Sequence, residues 1–292
     1  MDRRRFLSKL PALALLAGCN FKSQAATVGS KNFTEQLVLG ELLAQFLETN
    51  SGIQMERRFY LAGSYICHQA LLAGRIDMYV EYTGTALTAI LKEPTASDHL
   101  KVFNEVKQQY ARRWNLEVLP SLGFDNTFAM AMRGRQARKL GITSLSQLAP
   151  FAPQMRLGVG YEFMERPDGY KGLVSKYALR FAEAPRVMDL GLLYRALQNQ
   201  QVDIVAGSNT DGLIAALDLV VLADDAHYFP PYEAVPIVRR NCLEKYPSVE
   251  KALHLLNGQI TEQDMRRLNY AIDGEKRDAA AVVKEFLSQK KL

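Results

Sequence analysis

The run Asp77-Met78-Tyr79-Val80-Glu81-Tyr82-Thr83-Gly84-Thr85 constrains the fold more than any other stretch of the chain. It reads as a strand that enters a glycine turn and continues as a helix from Ala86 to about Lys92. In open α/β sheets, ligands sit in the crevice beyond the carboxyl ends of the strands, beside helix N-termini. Tyr82 stands at that crevice with an aromatic face and a hydroxyl, and the free N–H groups after Thr83 point at an anion. One short loop thus offers a surface for a cation next to a pocket for a carboxylate. A zwitterion needs both.

Strand and helix patterns alternate along the rest of the chain, which predicts sheets flanked by helices on both faces. Ala26 to Gly29 is a short strand. Asn32 is placed to cap the helix after it, with Glu35 three residues on as a variant capping box. Met55 to Tyr60 is a second strand, Gly63 to Leu72 a helix, and Ser97 to Trp114 a longer amphipathic helix. Asn126 to Met132 and Arg156 to Gly160 read as further strands, with Val202 to Ala206, Leu219 to Leu222 and Ala234 to Val238 after them. A polar, basic stretch from Arg133 to Lys139 reads as a linker, and the turn-rich Tyr228-Phe229-Pro230-Pro231-Tyr232 breaks the pattern a second time. With 48% hydrophobic residues, the chain can bury a sizeable core, and its length suggests two domains. The layout predicts an α/β protein of two lobes, the second inserted into the first: 27–130, then 131–229, then the return segment 230–292. The cleft between them is the favoured place for a small ligand.

The first residues are of another kind. Met1 to Lys9 is a basic n-region and Leu10 to Gly18 a short apolar run, so 1–18 is expected to be a signal peptide. That run is shorter than the roughly 20 residues a membrane span takes. Arg3-Arg4-Arg5-Phe6-Leu7 looks like a twin-arginine export signal, and Leu16-Ala17-Gly18-Cys19 resembles the lipobox of bacterial lipoproteins. Cys19 is then the lipid-modified mature N-terminus, 19–26 a tether, and the protein sits on the extracytoplasmic face of a membrane. The chain is formally +5. Most of that charge belongs to the signal, so about +2 remains afterwards. No basic stripe interleaved with aromatics is left for nucleic acid. Cys67 and Cys242 have two open readings in an oxidising compartment: a disulfide, or two small buried apolar residues, with burial favoured.

His68, His99, His227 and His254 are scattered without metal-binding spacing, and there is no nucleophile elbow or phosphate loop. Asp225 with His227 is the one acid/base pair on which a two-lobe enzyme could be built, and a structural role before the second crossing is the better reading. No cofactor is expected.

Gly29-Ser30-Lys31-Asn32-Phe33-Thr34-Glu35-Gln36 and Glu81-Tyr82-Thr83-Gly84-Thr85 resemble the substrate-binding proteins of ATP-binding-cassette importers for osmoprotectants. The resemblance continues through Phe124 to Ala129, Glu162 to Gly169, Asn209 to Gly212, Val220 to Asp225, Phe229 to Tyr232 and Met265 to Asn269, covering essentially the whole mature chain. It implies the two-lobe periplasmic-binding-protein fold of the second type, closure on a quaternary amine such as glycine betaine, choline or carnitine, and handover by a monomer to a membrane permease. It also implies an aromatic cage. A trimethylammonium group cannot donate hydrogen bonds, so ring quadrupoles and apolar contact recognise it. Tyr82 falls on one cage position and Tyr232 on another.

Two departures are visible. Where many relatives carry a tyrosine, two residues before Thr210, this chain has Ser208 and then Asn209; at the start of the second helix it has Tyr65. Tyr65 is expected to replace the lost ring in part, with a surface position as the other reading. A different betaine, such as a histidine-derived one, or an amino acid is the alternative ligand. Thr83 and Thr85 can cap a helix and bind a carboxylate at once. Ser30 and Asn32 lie on the crevice side of the first strand, where Lys31 reads as a solvated charge. Arg166 is open to a substrate carboxylate or to its neighbour Asp168. Asn126 and Thr127 fit either a crossing between lobes or a ligand contact.

Overall fold

A computed structural model describes residues 25–292. The expected signal peptide, Cys19 and most of the expected tether lie outside the described residues. Two five-stranded sheets organise the chain. The first contains β1 (Ala25–Gly29), β2 (Gln54–Arg58), β3 (Met78–Tyr82), β4 (Leu116–Val118) and β10 (Ala234–Arg239). The second contains β5 (Phe128–Arg133), β6 (Leu157–Val159), β7 (Arg186–Val187), β8 (Ile204–Ser208) and β9 (Leu219–Val221). Their strand orders, β2-β1-β3-β10-β4 and β7-β6-β8-β5-β9, follow one plan. In each, parallel strands form one side, and the strand that arrives from the other lobe runs antiparallel to both neighbours. This is the expected α/β two-lobe architecture.

Period-2 alternation explains β3. Met78, Val80 and Tyr82 join the core beneath the helix Thr34–Ser51, while Tyr79 joins the opposite core, with Cys67, Leu71 and Tyr110. All five residues are buried because helices cover both faces. The second sheet likewise has a core on each face, one around Met130, Met132 and Leu157 and one around Ala131, Leu197 and Val205. Cys67 and Cys242 are buried free thiols in the two different cores of the first lobe, so they do not pair. Burial pushes each thiol up to about 12.

Several local expectations are corrected. The first long helix begins at Thr34 with Phe33 at the cap and no side-chain cap bond. Thr34 instead donates to Asp273 Oδ1 at 2.7 Å, and Glu35 turns inward. Arg133 to Lys139 is no linker: Arg133 ends β5 and Gly134–Leu140 is a helix. The helix expected over Ala86 to Lys92 is a short turn, Thr83–Thr85, that widens into a π-helical segment, Ala86–Ile90. Such segments recur at functional sites. Because β5 already belongs to the second sheet, the chain leaves the first lobe before Phe128, ahead of the boundary at 130.

Candidate functional site

The two crossings between lobes run side by side. Asp125 and Glu233 form an antiparallel bridge, Asn126 N–H donates to Tyr232 O at 3.0 Å, and Tyr232 N–H donates to Asp125 Oδ1 at 2.9 Å. The register of β10 on β3 sets Ala234 opposite Tyr82, which brings Tyr82 and Tyr232 to the same end of the sheet. Gly84 is required there. A Cβ at this position would meet Pro231 O at 2.6 Å and the Tyr232 ring at 2.7 Å.

The second lobe contributes an arm, residues 161–169. Its Arg166 donates to Asp168 through Nε at 2.9 Å and Nη2 at 2.5 Å, and reaches Thr85 Oγ1 in the first lobe at 2.9 Å. The Tyr232 hydroxyl donates to Asp168 Oδ2 at 2.5 Å. The Arg166 guanidinium also lies over two rings, 5.0 Å from the Phe128 centroid and 5.7 Å from that of Tyr232. Phe128 is the centre of an aromatic cluster with Phe163 at 4.9 Å, Phe229 at 5.5 Å and Tyr232 at 5.6 Å. Burial raises the Asp168 carboxyl, but the hydrogen bond and charge of Arg166 outweigh it and hold the group below the usual range. At the mouth of the junction, Ser64 N–H at a helix start donates to Glu162 Oε1 at 3.0 Å.

Tyr82 stands on a second charged group. Lys31 Nζ lies 4.6 Å from its ring centroid and 2.5 Å from Glu81 Oε1, with both charged side chains buried. Lys31 is therefore a buried, ring-bound cation, not a solvated charge. The Tyr82 hydroxyl donates to Glu35 Oε1 at 2.7 Å. Glu35 also accepts from Asn126 Nδ2 at 2.6 Å and from Asn269 Nδ2 at 3.0 Å. Burial pushes the Glu35 carboxyl up, and the hydrogen bonds from Thr210, Tyr82, Asn269 and Asn126 oppose this only in part. The buried amide of Gln36, beside Tyr82, and the buried Ser64 hydroxyl, at the start of its helix, have no hydrogen-bond partner among the described residues.

The remaining expected residues divide. Ser208 and Thr210 share a hydroxyl bond of 2.9 Å, Asn126 Nδ2 donates to Thr210 Oγ1 at 2.9 Å, and Asn209 N–H donates to Thr127 O at 3.1 Å. These residues form a polar wall on the second lobe, against the first crossing. Ser30 is buried, and its hydroxyl accepts from Tyr60 N–H at 3.1 Å; Asn32 N–H donates to Ala62 O at 3.1 Å. Thr83 is fully engaged in joining β3 to the return segment: its N–H donates to Glu233 O at 3.0 Å, and its hydroxyl bonds Pro231 O and Glu233 N–H. The Thr83 N–H and hydroxyl are thus both taken. Tyr65 is 63% exposed and is not brought to the rings. Asp225 caps a short helix by accepting from Ser146 N–H at 3.1 Å and Ser144 Oγ at 3.2 Å, while His227 is exposed. No acid/base pair forms from them.

Sequence reasoning missed Phe128, Glu35, Gln36 and Asp168. Phe128 had a readable signal, an aromatic residue immediately after the crossing pair Asn126-Thr127. Glu35 and Asp168 are identified only by the residues they bond, Glu35 by Tyr82, Asn126 and Asn269 and Asp168 by Arg166 and Tyr232, and Gln36 by its place beside Tyr82.

Residues 25–289 match the family described as the substrate binding domain of ABC-type glycine betaine transport system. Among curated relatives, the ergothioneine transport permease/ergothioneine binding protein of Helicobacter pylori is 34% identical over 286 residues, 97% of this chain and 51% of that protein. The chain thus spans about half the length of that relative. The carnitine transport binding protein of Listeria monocytogenes is 32% identical over 90% of this chain and 85% of its own length. The glycine-betaine-binding protein of Pseudomonas aeruginosa is 31% identical over 96% and 92% respectively. A crystal structure of a glycine betaine/carnitine/choline ABC transporter superposes with a TM-score of 0.77 at 33% identity, covering 91% of this chain and 98% of that one. A choline binding protein in complex with choline shares the fold at a TM-score of 0.66 and 14% identity. The chain belongs to the substrate-binding family of ABC-type glycine betaine transport systems, and it is a binding component, not an enzyme.

Proposed function

We propose that this protein captures a quaternary-ammonium solute of the glycine betaine, choline or carnitine type between its lobes and delivers it to an ABC permease. One observation carries the reading: the rings of Phe128 and Tyr232 pack at 5.6 Å at the end of the sheet where Tyr82 also lies, and Arg166 stands over the first two and Lys31 over Tyr82. Rings in such a setting suit a trimethylammonium group, each contributing on the order of 0.5–2 kcal/mol. Arg166 arrives from the second lobe, so opening of the lobes withdraws it from Tyr232. Arg166 and Thr85, now bonded to each other across the junction, are the groups that opening of the lobes would free for a solute carboxylate. The protein works as a monomer on the extracytoplasmic face, held through a lipidated Cys19, with its second lobe between the crossings at about 125–127 and 229–233.

A second reading, a histidine-derived betaine, is favoured by the wall Ser208-Asn209-Thr210. It puts hydrogen-bonding groups where a further ring was expected, and Asn209 Oδ1 is buried without a partner among the described residues. Such a wall suits a ligand with ring N–H donors as well as a quaternary nitrogen.

Calorimetric titration of refolded, ligand-stripped protein with glycine betaine, choline, carnitine and ergothioneine tests both readings. Saturable binding of a quaternary amine that Tyr82→Ala abolishes supports the cage, and the preferred ligand separates the two. Silence across the panel overturns both.

A further inference from the structure

Glu35 is a buried carboxylate that accepts three side-chain hydrogen bonds, and neither ring–cation contact explains it. It comes from the first turn of the helix Thr34–Ser51, where the helix dipole favours a negative charge. Its partners come from four places: Tyr82 at the end of β3, Asn126 in the first crossing, Asn269 in the helix Glu262–Asp273, and, through those amides, Thr210 of the second lobe. Asn126 Nδ2 bridges Glu35 Oε1 and Thr210 Oγ1, and Asn269 Nδ2 bridges Glu35 Oε2 and Thr210 O. One carboxylate therefore holds a binding ring by its hydroxyl and holds the second lobe through two amide bridges.

We infer that Glu35 is a positioning residue that couples the orientation of the Tyr82 ring to the angle between the lobes. A rotation of the second lobe moves Thr210, loosens both amide bridges and frees the carboxylate that fixes Tyr82. A glutamine offers one acceptor oxygen where the carboxylate offers two, so in one orientation its nitrogen faces the Asn269 amide nitrogen, and in the other it faces the Tyr82 hydroxyl and Asn126, which must turn round. Either way the set of bonds that now links Tyr82 to Thr210 is rearranged. The inference rests on the proposed function only for its binding readout.

The test uses wild type, Glu35→Gln, Tyr82→Phe and the double variant, with choline as the titrant and hydrogen exchange on the unliganded proteins. Glu35→Gln is expected to weaken choline about tenfold, and the double variant to be no weaker than Glu35→Gln alone. Exchange at Asn126 and Asn209 N–H is expected to rise about tenfold in Glu35→Gln, with β6 unchanged. Additive losses, or unchanged exchange at the crossing, overturn the proposal. If wild type binds neither choline nor any betaine, the proposed function fails, and the exchange result alone decides for or against Glu35. If Glu35→Gln does not fold, Thr210→Val removes the Asn126 bridge to the second lobe and leaves the Asn269 bridge to Thr210 O in place. It should raise exchange at Asn126 and Asn209 N–H by less than Glu35→Gln, and no increase overturns the coupling.

Discussion

The hydroxyl of Tyr232, in the return crossing, donates to Asp168 Oδ2 of the second-lobe arm at 2.5 Å, on the carboxylate that also holds Arg166. Removing this hydroxyl alone leaves the Arg166 pair intact and the ring in place. Hydrogen bonds to charged groups contribute about 1.5–3 kcal/mol. Tyr232→Phe should therefore weaken solute binding by roughly tenfold or more. Tyr232→Ala, which removes the ring as well, should weaken it further. Calorimetry on the two variants separates hydroxyl from ring.

Phe128 offers a second check on the ring surface. Its only possible contribution is a face and an edge, since it has no polar atom. Phe128→Leu keeps apolar volume but loses the quadrupole, and should weaken a quaternary amine by about 0.5–2 kcal/mol while leaving an uncharged isostere unaffected. The reciprocal change, Ser208→Tyr, should tighten the same ligand by a similar amount. A comparison of choline with its neutral carbon analogue, 3,3-dimethylbutanol, reads both effects.

Lys31 and Glu81 form a buried pair in which each charge depends on the other. Tyr79 OH and Tyr82 N–H also donate to Glu81. Removing one partner of such a pair costs about 3–5 kcal/mol, because the other charge is left uncompensated. Glu81→Leu should lower stability in urea by that order, and Lys31→Met together with Glu81→Leu should recover part of the loss. Denaturant midpoints of the three variants give the answer.

Two buried groups give opposite pH responses. Burial lowers the His68 pKa from 6.5 to about 4, and its ring packs against Tyr110 and Trp114 with neither nitrogen bonded among the described residues. The unfolded chain takes up that proton first, so His68 costs stability as pH falls from 6.5 through about 4. Burial raises Asp211 from 3.8 to about 6, so the folded state holds its proton longer; this stability is present at low pH and lost as pH rises through about 6. Each effect reaches at most about 3 kcal/mol. His68→Phe should make stability rise on acidification over this window, and Asp211→Asn should make it fall more steeply than in wild type. Thermal melts across the window measure both slopes.

How much of this was legible depended on the range of the interaction. The strand ending in Tyr82 was readable because alternation and the glycine at 84 are local signals. The two-lobe layout followed from the order of strands and helices. Glu35 was misread as a capping residue because its spacing from Asn32 fits a capping box, whereas its true partners lie up to 234 positions away. The basic stretch at 133–139 looked like a linker because it exposes most of its charge; only Gly134 and Ala137 of that helix are buried. Tyr65 looked like a replacement ring because sequence gives its place on the helix but not which side faces the rings. Phe128 was hidden for a related reason: its strand was legible, but not the sheet it would join.

The paired crossings have a mechanical consequence. Two adjacent strands bonded from Phe124–Ala234 through Asn126–Tyr232 join the halves along a line. Sliding or twisting one half against the other would break those bonds, whereas swinging about the line preserves them. Of the possible relative motions, the paired crossings leave swinging about that line as the one that keeps their bonds. If solute enters by that swing, ring exposure and withdrawal of the Arg166 arm follow the same angle, and that angle is the signal the proposed permease contact would read.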